Sequence, residues 1–428
     1  MSIKKLKAGA LQLTIFIVVM IALLLAAFLV LVHTQKQFNL QTDFVLETVN
    51  NADRGIEYAL ANNVELHDST LVNLEDEDYK ALYVQRDFWG LFEKVKSTSK
   101  IKKYQFQKVA LIGAKQAKDN RTALYLEDNN KPLVVVGNTN IKGVAYVPKR
   151  GVKAGNIAGQ SYYGSELIYG QTRESEYLPK LFSETIDELK TITNQYLSDE
   201  HHRFLDISKE KGFKNSFLEP YQILYSATNI YLENIELTGH IVVFSKTSIS
   251  VEASSSLKDV ILIAPKIEIK NNVVGTFQAF ANETISVGSN CKLEYPSTLV
   301  VYEDEKGVII PQRVDSQQLL SRNIKINNAT TIDGVVLFIG LKTSNNYEPQ
   351  IIIEDKVIIK GEVYCNTNIE LKGTVYGTVY ASNFIAKQSG SVYQNHFYNA
   401  TIVIDSLSQK YVGLPFSNSK KGVLKWLY

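Results

Sequence analysis

The chain is 428 residues long yet has only two cysteines, nine prolines and six histidines, and its charges nearly cancel. Each shortage removes a class of protein. Two cysteines cannot build a disulfide framework. With 46 basic residues against 44 acidic ones, interspersed along the chain, no basic face exists for a polyanion. Nucleic acid is therefore excluded as a partner. No Pro-, Gly- or Ser-rich linker divides the chain, which favours one continuous elongated body over separate beads. Nucleophile motifs, phosphate loops and dinucleotide fingerprints are also missing. The sequence thus gives no catalytic residue, no cofactor and no metal site.

What it has is concentrated at the N-terminus. Lys4, Lys5 and Lys7 precede a nearly unbroken apolar run from Ala8 to Val32, and Ile15 to Val32 are 18 consecutive apolar residues. As a helix these rise about 27 Å, close to the roughly 30 Å core of a bilayer. One membrane span is expected over Ile15 to Val32. Three lysines before the run, against Lys36 and His33 after it, place the N-terminus in the cytoplasm and the rest outside. A cleaved secretory signal would have a shorter apolar core and a small-x-small site. The helical pattern continues into water, because Phe38, Val45, Val49, Ala52, Ile56 and Ala59 form a stripe of helical period. A single helix of about 50 residues is expected, its stripe packed on the domain that follows or, as the alternative, on a neighbouring helix.

The basic leader, the Gly9 to Ala10 junction, the apolar segment and its amphipathic continuation resemble the N-terminus of type IV pilins and type II secretion pseudopilins. The resemblance covers about 60 residues. It implies a leader-peptidase cut after Gly9, with Ala10 as the first mature residue. That family usually has a glutamate five residues after the cut, where this chain has Thr14. In this respect it is similar to minor, tip-located pseudopilins.

A second pattern begins near residue 229. Short x-I-x-I motifs recur at Ile230, Ile249, Ile267 and Ile285, spaced 19, 18 and 18, then at Ile332, Ile351, Ile369 and Ile385, spaced 19, 18 and 16. Asn, Gly, Ser and Lys punctuate the short strands between them. Three strands of four or five residues per period fit parallel strands stacked about 4.8 Å apart, a β-helix with about 18 residues per rung. The alternative, an antiparallel sandwich, gives no reason for that register. The Gly-x-Val-Tyr units at Gly361, Gly373 and Gly377 resemble the rungs of bactofilins, which implies kinship of architecture rather than self-polymerisation.

The fold class expected is mainly β: one N-terminal transmembrane helix, a small α/β collar, and a parallel β-helix with a helical insertion. The leader and span occupy residues 1–33, the extended helix and collar 34–131, and first rungs, marked by Asn140 and Asn156, 132–175. A helical insertion or cap occupies 176–228, the main β-helix 229–410 and a C-terminal tail 411–428. A second insertion, Glu303 to Arg322, interrupts the period.

Many β-helices cleave polysaccharides with paired acids on an outer face. The candidates are Glu303, Asp304, Glu305, Asp333, Glu354 and Asp355, all in or beside turns and read as solvated. His201, His202 and Asp206 have zinc-ligand chemistry, but adjacent histidines on a helix diverge by about 100°. Cys291 and Cys365 lie about four rungs apart, nearly 20 Å, against about 6 Å for a disulfide. Tyr162, Tyr163, Tyr376 and Tyr380 are candidate outward contacts. The expected function is that of a single-pass, N-in structural protein of the bacterial envelope, at the cytoplasmic membrane with its C-terminal body outside. Its partners would be the membrane and the proteins of a filament or secretion assembly. The alternative is a carbohydrate-active or glycan-binding β-helix.

Overall fold

The computed structural model describes residues 9–74, 79–116, 119–194, 203–207, 210–303, 322–342, 346–417 and 419–427. It is mainly β, with one long apolar N-terminal helix and a large parallel sheet consistent with a β-helix.

The long helix, α1, runs unbroken from Gly9 to Ala61. An antiparallel sheet follows: β1 (Ser69–Val72), β2 (Lys80–Trp89), β3 (Phe92–Ile101) and β4 (Tyr104–Lys115), paired in chain order. Trp89 pairs with Phe92 across a two-residue turn in which Gly90 takes φ +66. Such turns need a residue tolerant of positive φ. Among the described residues the expected α/β collar is therefore antiparallel β, with the end of α1 as its only helix. Its boundary also falls earlier than 131, since Thr122–Leu126 pairs with the parallel sheet. The expected C-terminal tail is strand as well. Val412–Gly413 and Lys421–Leu427 both pair with β4. They cover an edge that would otherwise expose unpaired backbone.

In the parallel sheet most strands pair with one further along the chain, and buried apolar residues fall into columns. One column is Ile230, Ile249, Ile267, Ile285, Ile324, Ile351, Ile369 and Phe384. The first three spacings are as the sequence suggests. After Ile285 the register departs from it: the column passes to Ile324, not Ile332, and ends on Phe384, not Ile385. The interruption after Glu303 delays the return of the motif. Ile332 belongs to a neighbouring column between Leu293 and Ile359, which continues through Val375 and Ile402 to Ile141. Residues 304–321 of the second insertion lie outside the described residues.

That last pairing reorders the chain. The stretch 132–175, expected to precede residue 229 in the stack, sits instead beyond the C-terminal strands: Ile402 pairs with Ile141, Tyr380 with Tyr125, and His396 with Val134. Residues 176–228 must then return the chain to the opposite end. The helix α2 (Ser183–Asn194) lies on this return and packs against Val274–Ala281 and Lys292–Tyr302, so it covers a side of the sheet rather than capping an end.

That side is apolar on both faces. Val243, Leu262, Ala279, Leu299, Val336 and Val363 face one core. Their neighbours Phe280, Val300, Leu337, Tyr364 and Tyr380 face a second core, with Leu189 and Ile192 of α2, Trp89 and Phe92 of the antiparallel sheet, and Val412 and Leu427. Continuous apolar runs such as Thr298–Val301 are the mark of a strand buried on both faces. Gly334, Gly361 and Gly377 align in one column at φ +150 to +156, and a Cβ on any of them would stand within 2 Å of the preceding carbonyl oxygen. Gly373, grouped with the last two by sequence, is not in this column.

Candidate membrane anchor and its seat

Alanine, leucine and methionine favour a helix through the apolar run, and the two threonines in or just after it turn their hydroxyls to the backbone. Thr14 Oγ1 donates to the Leu11 carbonyl at 2.9 Å and Thr34 Oγ1 to that of Val30 at 2.8 Å. The large apolar side chains from Leu11 to Val32 are 44–67% exposed. Among the described residues α1 is the only helix long and apolar enough to cross a membrane.

The sequence stripe is occupied only in its second half. Ala52, Ile56 and Ala59 are buried, whereas Phe38 and Val45 remain exposed. Thr48, Asn51 and Gly55, which no apolar pattern could mark, complete the buried face. A Cβ at Gly55 would stand 2.1 Å from Ser97 Oγ, so glycine is what lets the helix approach β3. Of the site residues read from sequence, Gly9, Ala10, Ile15 and Val32 all lie on α1, and Lys4, Lys5 and Lys7 lie outside the described residues.

Of the candidate acids, Glu303, Asp333 and Glu354 each lie beside a basic residue. Glu303 pairs with Arg322 and accepts from the Leu341 amide at 3.1 Å; Asp304 and Glu305 lie outside the described residues. Asp333 faces Lys360 at 3.6 Å and Glu354 faces Lys372 at 3.2 Å, each lysine one strand along. His201 and His202 also lie outside the described residues. Among those described, no group of three or more His, Cys, Asp or Glu residues could hold a metal. Cys291 and Cys365 are free and buried, and burial pushes both thiols up, Cys365 to about 11. Tyr163 is exposed, but Tyr380 is covered by Phe416 at 4.8 Å.

Polar residues that no motif flagged join the antiparallel sheet to the parallel one. Gln278 donates from Nε2 to the Trp89 carbonyl and accepts at Oε1 from the Leu91 amide, both at 2.9 Å. Glu362, buried, accepts from the Leu414 amide at 2.6 Å and from Gln116 Nε2 at 3.0 Å. Burial raises its carboxyl to about 7, against the lowering effect of these donors and of Arg121. Arg86 lies between Glu93 and Glu184, which ties the antiparallel sheet to α2, and Lys421 reaches Glu93 at 2.8 Å within that sheet. His240, held down to about 3 by burial and then by Lys94, lies against Trp89 with ring centres 4.6 Å apart and planes tilted by 57°. The only signal for this joint was the Trp89-Gly90-Leu91-Phe92 turn; lone polar residues in strands carry none.

No protein-family model and no curated protein matches the chain. Among solved structures, the competence-associated pilin ComZ from Thermus thermophilus is similar over 92% of this chain and 96% of its own, with 9% identity and a TM-score of 0.18. A likeness of that size carries no argument about fold or function.

Proposed function

We propose that the chain is a membrane-anchored, pilin-like subunit of an envelope assembly, cut between Gly9 and Ala10, that holds a parallel β-helix with bactofilin-like rungs outside the cytoplasmic membrane. One observation carries the reading: α1 is a single helix whose first half is apolar and exposed and whose second half is seated on the body. Each large aliphatic side chain in that first half would gain about 1.5–3 kcal/mol by leaving water. A bilayer, or similar helices beside it, meets that demand. The lysines before the run favour an N-in orientation. The double-cored parallel sheet supports a structural role, as a stiff surface offered to protein partners.

The test is the N-terminal residue of the mature protein, by intact mass and peptide mapping from native membranes. A chain starting at Ala10 supports pilin-type processing, and Gly9→Val should then leave the leader attached. A chain starting at Met1 or Ser2 sinks the pilin reading and leaves a membrane-tethered scaffold.

A further inference from the structure

Two unlike contacts fasten α1 to the body. Near its C-terminal end, Ile56 and Ala59 pack with Val64, Val84, Val95, Ala110 and Ile112. Closer to the apolar half the buried residues beside Ala52 are Thr48, Asn51 and Gly55, and β3 contributes Ser97 and Ser99, all at most 2% exposed except Gly55, which is also buried. Asn51 Nδ2, Ser97 Oγ and Ser99 Oγ have no hydrogen-bond partner. The Thr48 hydroxyl donates back to the Phe44 carbonyl and adds nothing across the seam. Buried polar groups left unpaired oppose the closed contact, because opening returns them to water.

What holds this stretch lies at its rim. Glu47 pairs with Lys80, Asp53 pairs with Lys108, and Lys102 Nζ lies 4.4 Å from the centre of the Phe44 ring. Asp53 and Glu47 are each more than a third exposed, and such pairs are weak and screened by salt. Gly55 stands where the polar seam meets the apolar cluster. Its missing side chain, required by Ser97, also makes it the softest backbone position there.

We infer that this joint is a pivot: the part of α1 before Gly55 swings off β3 while Ile56 to Ala59 stay seated. The body can then change its angle to the apolar arm without unfolding either. The inference stands on the seam alone and does not depend on processing at Gly9.

The test uses the full chain in lipid nanodiscs, with spin labels at the exposed positions of Gln41→Cys and Gln105→Cys, Cys291 and Cys365 being buried. Two distances are expected, and the longer should gain about threefold in population as salt rises from about 0.1 M to about 1 M, where the screening length falls from about 10 Å to about 3 Å. Ser97→Ala with Ser99→Ala removes two orphaned hydroxyls and should shrink the longer population. A single distance unaffected by salt overturns the pivot, and so does a longer population that the double variant leaves unchanged. If the double variant fails to fold, the salt series decides alone.

Discussion

The inner columns of the parallel sheet and the seat of α1 on β3 are both buried, yet they are built from opposite materials. In the columns isoleucine stacks on isoleucine, and Ile249, Ile285, Ile324, Ile351 and Ile369 are wholly buried. In the part of the seat before Ile56, a glycine, an asparagine, a threonine and two serines meet around Ala52, with three polar atoms unpaired. Repetition gives the first region stability through many equal contacts, each supported by its neighbours. The second is close-packed without being strongly held. Burial alone therefore does not measure how firmly two parts are joined; the chemistry of the buried faces does.

The comparison can be broken most sharply in the columns. Phe277→Ala removes a wholly buried ring and should cost about 3–5 kcal/mol in denaturant unfolding. A loss below about 1 kcal/mol would mean that the interior collapses freely around the gap.

Glu362, which ties the parallel sheet to Gln116 and Leu414 rather than to the seat, should show itself through pH. Its carboxyl sits at about 7 in the folded chain, above the ordinary 4.5, so the protonated form is favoured by folding. Its contribution is complete below the unfolded value and is lost as pH rises through about 7. Stability should fall by a few kcal/mol between about pH 4.5 and 7, and Glu362→Gln should remove that slope. Parallel slopes for parent and variant would discount the group.

At the seat, Gly55→Leu forces side-chain atoms into Ser97 and should cost about 1–3 kcal/mol, read as faster hydrogen exchange in α1 beyond Phe44 with the parallel sheet unchanged. Loss of protection in both regions at once would show that they unfold as one unit. The smallest effect belongs to Lys360→Ala, which deletes a partly exposed pair with Asp333 at 3.6 Å and should change stability by about 0–0.5 kcal/mol. A larger loss would give that ladder of charges a structural weight it is not expected to have.

Much of this was legible in the residues. The apolar run of Ile15 to Val32 dictates a long helix by composition alone, and the repeat from Ile230 to Ile285 sets its register because β-branched residues must point inward on every turn. The Ile332 register failed because the break after Glu303 hides how much chain intervenes before the motif returns. The stripe from Phe38 is seated on the domain only in its second half, because burial of an apolar residue depends on where the sheet begins, which local sequence does not encode.

What the sequence by itself determined is the kind of the main elements: one apolar helix, short strands recurring from residue 229 and no chemistry-bearing motif. These follow from spacing and side-chain type, which act over a few residues. Only the tertiary structure decided that residues 132–175 stack beyond residue 402, that the C-terminal strands close the edge of β4, and that Gln278 and Glu362 bind two sheets together. Those outcomes depend on which surfaces remain uncovered after the local elements form. Contacts between residues hundreds of positions apart are selected by shape and by unpaired hydrogen-bonding groups, neither of which leaves a periodic trace in the chain.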